Sequence, residues 1–374
     1  MRPSLRCFLV AALTMAGAAS LLSAQSSTGI ARGIAIGNSA RSVQGIRLVF
    51  RDDDPARRTS GMQVSIWSSH DDARGADVRG IALGLPVAGA GSITGLSLAP
   101  VGVGATRDLA GITLAGIGAG AGGDVRGITA GLIGVGAGGS IRGLAVGGIG
   151  AGTGGTIRGI AIGGVGAGAG GDIRGAVLGG IGAATGGDLH GIALGGVGVG
   201  AGGNGRGLLV GGVGAGVGGD FEGIAFGGVG VGAGGRATGL MAGLIGVGAG
   251  GGIKGIALAG IGVGAGGELR GLSMAGVGVG APRITGVAIA PVVGAERANA
   301  IVIAPALFRL EPGGRFRGVS VSAVNAMRGS QRGIAIGIVN YARSLDGLQV
   351  GLVNIARNAR TPVLPFANWA RAGR

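Results

Sequence analysis

From Arg126 to Arg270 one frame repeats without a slip. Glycine stands at positions 127, 143, 159, 175, 191, 207, 223, 239, 255 and 271, sixteen residues apart each time. The unit is glycine, an apolar residue, any residue, a second apolar residue, a small residue, then a further apolar residue one or two places on, as in RGIAIGGVGAGAGGDI from Arg158 to Ile173. Looser copies begin at Gly33, Gly45, Gly61, Gly80, Gly95 and Gly111, and variants follow at Gly286, Ala300, Gly318, Gly333 and Gly347, giving 21 copies in all. A fixed period over almost the whole chain points to stacked copies of one small unit, with no second domain.

Within a copy the apolar residues are spaced by two, the period of a strand. A helix is excluded by glycine, which costs up to ~1 kcal/mol per residue relative to alanine. The spacing predicts two short strands per unit, with Ile160 and Ile162 turned into a thin interior and Ala161 outward. It also groups Val165, Ala167 and Ala169 on one face, and assigns the turn to GGDI with positive φ at Gly170-Gly171. One such unit cannot bury its apolar face, but stacked copies can hydrogen-bond coil to coil, Ile on Ile and Ala on Ala. The expected fold is all-β, a glycine-rich β-solenoid of about 14–16 residues per coil and roughly 21 coils. Regular coils occupy 111–285, flanked by irregular coils with charged loops over 25–110 and by a different, C-terminal set over 286–374.

Composition narrows the alternatives. Only 3% of residues are aromatic and 96 of 374 are glycine, which rules out an ordinary core of large side chains. Only 13% are charged, the reverse of a disordered polyampholyte. A silk-like fibre does not keep Ile or Val in register over ten periods. An outer-membrane barrel, the alternative architecture, needs strands of ~9–11 steadily alternating residues and aromatic girdles, whereas each glycine pair breaks the alternation.

The N-terminus has the form of an export signal over residues 1–24: Arg2 and Arg6, the apolar run CFLVAALTMAGAASLL, then Ser23-Ala24 before Gln25. Its removal would take away the only cysteine, Cys7, and lower the formal charge from +15 to about +13. Disulfides then play no part in the mature chain. Two insertions, RDDDPARRTS and SSHDDARGADVR, lie between Gly45 and Gly80 and read as solvated loops, so their carboxylates Asp52, Asp53, Asp54, Asp71 and Asp72 are not assigned a cation.

Catalytic motifs do not emerge. GxGxxG recurs, as at Gly134, Gly136 and Gly139, but not in the single strand-turn-helix setting of a dinucleotide site. Lys254, the sole lysine, follows Ile253 and belongs to no phosphate loop, and His70 and His190 each stand alone. We expect a non-enzymatic protein that uses no cofactor or metal.

One charged constellation is periodic. The residue before the unit glycine is Arg126, Arg142, Arg158, Arg174, His190, Arg206, Glu222, Thr238, Lys254 and Arg270. Two places earlier stand Asp124, Asp172, Asp188, Asp220 and Glu268, interrupted by Ser140, Thr156 and Asn204. Stacking would bring both columns to one edge. One reading is a partly paired edge that keeps the protein soluble. The functional reading takes Arg126, Arg142, Arg158, Arg174, Arg206, Lys254 and Arg270 as contacts for a polyanion such as anionic polysaccharide or lipopolysaccharide. Nucleic acid is not expected, since no aromatic platform is interleaved with the charges.

Near the C-terminus the units change to GVSVSAVNA, GIAIGIVNYA and GLQVGLVNIA, and the chain closes on VLPFANW, Val363 to Trp369. Residues 318–369 resemble the bacterial surface-repeat proteins first noticed in spirochaetes, built from short GLQIGLVN-type units and often ending in a similar aromatic-proline segment. The glycine-rich middle departs from that pattern in its sixteen-residue period and its lack of the asparagine. The resemblance implies an exported protein of the cell surface or outer membrane of a Gram-negative-type bacterium, structural or adhesive, with peripheral membrane association. It transfers no catalytic residue. The alternatives are an outer-membrane barrel or pore and an ice-binding solenoid. The last would need a regular outward threonine array, yet the unit's third position is Thr113 and Thr129 and then mainly alanine.

Overall fold

The structure, a computed structural model, describes residues 29–37, 40–50, 58–66 and 76–371. Contacts divide the chain into two units, Met1–Gly179 and Gly180–Arg374. Each is a parallel β-solenoid, and together they contain about 19 turns.

In the first unit a regular coil has two strands. The longer one, such as Ile157–Gly163, pairs in parallel with Ile141–Gly147 of the coil before, residue for residue from Ile141↔Ile157 to Gly147↔Gly163. The shorter one, Gly166–Ala169, pairs likewise with Gly150–Thr153. The corners also bond coil to coil: Val165 N–H donates to the Ile149 carbonyl at 2.8 Å and Gly171 N–H to the Gly155 carbonyl at 2.8 Å. The second unit repeats the plan, with Gly205–Gly211 on Phe221–Gly227 and Gly214–Val217 on Gly230–Ala233. Parallel pairing of each strand with its copy in the next coil is incompatible with the antiparallel meander of an outer-membrane barrel, and that alternative is set aside.

The unit glycine has a specific task. At Gly159 φ is +134°, and a Cβ there would lie 2.1 Å from the Gly143 carbonyl oxygen. The same holds at the unit glycines from Gly45 through Gly175 in the first unit and from Gly207 through Gly347 in the second, because each of these lies directly against the carbonyl of its predecessor. Only glycine adopts this backbone without strain and leaves room for that contact. Ala300 is the exception among the unit starts, and its φ is not positive. The left-handed backbone expected at Gly170-Gly171 is therefore found at the kink inside the longer strand instead.

The facing of the strand is the reverse of the sequence expectation. Ala161 is 0% exposed, whereas Ile160 is 44% and Ile162 36% exposed. Inward residues are Ile157, Ala161, Gly163 and Ala167, while Val165 projects from the corner. The alternation of two fits either face, and the closed coil turns inward the face that carries Ile157 and Ala161. At the corner a Cβ on Gly163 would fall 1.9 Å from the Gly166 carbonyl oxygen, so the turn is tight there. The column of Ala161 is roomier and also takes Val177, as the same column of the second unit takes Leu209 and Met241, all buried. The outer Ile columns still shed more than half their accessible surface by stacking on their own copies in adjacent coils. Thr113 and Thr129 are also buried, which removes the outward threonine array that an ice-binding surface needs.

The C-terminal coils keep the plan with a polar interior. Asn325, Asn340 and Asn354 are each 0% exposed, and their amides form a ladder: Asn325 Nδ2 donates to Asn340 Oδ1 at 2.7 Å, and Asn340 Nδ2 to Asn354 Oδ1 at 2.8 Å. The closing strand Val363–Ala370 runs antiparallel to the last coil, from Gly347↔Ala370 to Ile355↔Val363, and occupies an edge that would otherwise offer unpaired backbone groups.

Candidate polyanion-binding edge

The stacking register settles which basic residues meet. In the first unit Arg126, Arg142, Arg158 and Arg174 are successive Cα partners, one per coil, so the four form an uninterrupted row at a spacing of ~4.8 Å. The unit glycine after each one kinks the strand, and the next outward residues are Ile128, Leu144, Ile160 and Ala176. The row thus lies beside exposed apolar columns.

In the second unit the register is His190↔Arg206↔Glu222↔Thr238↔Lys254↔Arg270. Arg206 is flanked by His190 and by Glu222, which it contacts at 3.2 Å. Lys254 and Arg270 are adjacent, and Thr238 separates them from Glu222. Of the seven candidate residues, then, four make a continuous basic row in the first unit, two make a pair in the second, and Arg206 is partly neutralised.

The acidic column two places earlier has a structural duty that its charge concealed. Asp124 Oδ1 accepts the Ser140 backbone N–H at 2.9 Å, and Asp108 Oδ1 accepts that of Asp124 at 2.8 Å. In the second unit Asp188, Asn204 and Asp220 accept from the backbone of residues 204, 220 and 236 at 2.7, 2.8 and 2.7 Å. Each side chain thereby satisfies a corner N–H of the next coil. The sequence signal was present: this column holds Asp, Asn, Ser and Thr, residues with short acceptor side chains suited to local backbone bonding.

What charge remains on the acids is shared. Asp124 contacts Arg126 at 2.9 Å and Arg142 at 3.8 Å, and Asp172 contacts Arg174 at 3.8 Å. The Ser140 N–H first, and then the Arg126 guanidinium, hold the Asp124 carboxyl below the usual carboxylate range. Such half-exposed pairs are screened by solvent and leave the guanidinium donors open to a ligand. Arg158 has no ion pair among the described residues.

Among the described residues no group of three His, Cys, Asp or Glu could hold a metal. His70 and the carboxylates Asp52, Asp53, Asp54, Asp71 and Asp72 lie outside the described residues, as do residues 1–24. Two features of the surface escaped the sequence reading: the exposed Ile, Leu and Val columns, and a cluster of arginines between Arg283 and Arg332. Compared with known proteins, the chain matches no family model, no curated protein and no solved structure.

Proposed function

We propose that this is an exported, non-enzymatic repeat protein of the bacterial surface, structural or adhesive, that associates peripherally with the outer membrane through lipopolysaccharide. The observation that carries the reading is the four-arginine row of the first unit, set beside outward Ile128, Leu144 and Ile160. A row of guanidinium groups suits the phosphates and acidic sugars of lipopolysaccharide. The adjoining apolar columns favour an amphiphile over a purely hydrophilic acidic polysaccharide, because contiguous exposed apolar surface marks an interaction site. The resemblance of residues 318–369 to surface-repeat proteins supports the location.

Binding along the row should weaken steeply with salt, since each contact releases counterions. Replacing Arg126, Arg142, Arg158 and Arg174 together by glutamine should abolish most lipopolysaccharide binding while leaving the β-type circular dichroism intact. The control replaces Arg328, Arg343, Arg360 and Arg371, which removes the same charge elsewhere. Equal loss in both variants would reduce the effect to net charge. Binding of an acidic polysaccharide as tight as that of lipopolysaccharide would remove the role given to the apolar columns.

A further inference from the structure

The pairing of acid with base along the edge breaks down most fully in one stretch. Three residues before the unit glycine the regular coils place Asp108, Asp124, Asp172, Asp188, Asp220 or Glu268, a neutral residue, or in one coil Arg236, but the three consecutive coils of Gly286, Ala300 and Gly318 all place arginine, Arg283, Arg297 and Arg315. Register makes Arg283 and Arg297 direct neighbours. The next coil is longer, yet a Cβ on Gly318 would meet the Ala300 carbonyl oxygen at 2.2 Å and one on Gly314 the Glu296 oxygen at 2.3 Å, which stacks Arg315 on Arg297. In the same way Gly333 lies against Gly318, which stacks Arg332 on Arg317.

The five arginines therefore form two adjacent columns, Arg283, Arg297 and Arg315 in one and Arg317 and Arg332 in the other. The residues between them, Ile284, Ala298, Phe316 and Gln331, are buried, so the arginines share one outward face. Phe316 is held edge-on against Phe308, ring centroids 5.2 Å apart, which fixes the strand beneath Arg315 and Arg317. Together they line a groove of about 460 Å³. Its one carboxylate is Asp346, which accepts from Arg332 Nε at 2.8 Å. Glu268, the register neighbour of Arg283, accepts from the Thr285 hydroxyl at 2.7 Å. Arg283, Arg297, Arg315 and Arg317 have no ion pair among the described residues.

We propose that this groove is a binding site for clustered phosphate groups, separate from the four-arginine row and independent of the function assigned to that row. Like charges stacked ~4.8 Å apart repel, and the acids that relieve this repulsion in other coils are replaced here by more arginine. An anion with several adjacent phosphates restores the balance, and the planar guanidinium fork meets phosphate oxygens in pairs. A single phosphate can engage only part of the array. The clustered phosphates could be those of a soluble polyphosphate or of a phosphorylated lipid headgroup, and both present the same oxyanions to the groove.

The test is titration calorimetry of the full mature chain with tripolyphosphate, with inorganic phosphate in parallel. Tripolyphosphate should bind at one site, and Arg297→Gln with Arg315→Gln should weaken it by about tenfold or more. The row variant lacking Arg126, Arg142, Arg158 and Arg174 should bind it unchanged, which separates this site from the proposed function. Vesicles carrying a multiply phosphorylated headgroup distinguish the sources: competition with tripolyphosphate assigns the groove to lipid, and its absence to the soluble anion. No binding of tripolyphosphate, equal loss in an Arg328→Gln, Arg343→Gln control, or inorganic phosphate binding as tightly as tripolyphosphate would each overturn the proposal. Circular dichroism of every variant checks that the fold persists.

Discussion

In the coil that starts at Gly159 the corner after the longer strand runs Gly163-Gly164-Val165-Gly166, and the next inward side chain is Ala167. In the coil that starts at Gly333 it runs Gly337-Ile338-Val339, one residue shorter, and the inward place is taken by Asn340. The shorter corner brings a side-chain amide to the turn. Asn340 Nδ2 donates to the Val350 carbonyl at 3.0 Å, and Asn325 Nδ2 to that of Ile336 at 3.1 Å. Below them Gln349 donates to Gln331 at 2.9 Å, and Gln331 to the Leu348 carbonyl at 3.2 Å. One backbone plan is thus filled in two ways. Where the interior is apolar, the inward column admits Ala161, Val177 and Met241 alike, and what it cannot meet is charge. Where it is amide, the side-chain donors are met by the amides and carbonyls of neighbouring coils, and Asn340 cannot be removed without orphaning Asn354 Oδ1.

The largest effect should come from violating the first rule. Ala161→Asp adds a carboxylate to a 0% exposed position with no partner available, costing about 5 kcal/mol or preventing folding outright. Ile160→Asp, at a 44% exposed position, should cost ~1 kcal/mol from lost column stacking. Urea unfolding of the two variants checks this, and equal destabilisation would mean that the strand does not face as described.

The second rule predicts a smaller loss. Asn340→Leu fits the volume but leaves Asn354 Oδ1 without its donor and takes away the Asn325 Nδ2 acceptor, at about 1–3 kcal/mol for each group left unmet. Asn358 bonds Leu345 through both amide atoms at the surface of the coil, and its change to leucine should cost ~1 kcal/mol. Amide exchange near residue 340 reads the difference. Unchanged protection there would show that the ladder carries no stability.

How much of this was legible in the sequence follows from what leaves a periodic trace. The frame of sixteen gave the solenoid, because only stacked coils reward so exact a repeat, and Asn325, Asn340 and Asn354 stand at the same place in successive units, which is the trace a ladder leaves. The neighbours in the arginine row followed from the same period. The facing did not, since the period-two pattern of Ile160 and Ile162 fits either side of a strand, and which side is inside depends on the direction in which the corners close, which only the folded coil displays. The arginine groove was hidden differently. Its residues come from coils of unequal length, and stacking Arg315 on Arg297 depends on how the extra residues after Ala300 are absorbed.

The smallest effects should sort the glycines into two kinds. Gly143 has φ of +124° and a Cβ there would fall 2.1 Å from the Gly127 oxygen. Its counterpart Gly333 in the terminal coils is the same, at +115° and 2.1 Å from Gly318. Gly136 differs: its φ is not positive and a Cβ would have nothing within 4 Å. In the terminal coils the corresponding place holds Tyr341, so the fold itself accommodates a large side chain there. Gly143→Ala should therefore cost about 1–3 kcal/mol in either type of coil, whereas Gly136→Ala should be neutral or stabilise by up to ~1 kcal/mol by restricting the unfolded chain. The check is the urea midpoint of the two variants measured side by side. If Gly136→Ala proved as damaging as Gly143→Ala, both glycines would be demanded by the coil itself, and the distinction between kink and surface glycine would fall.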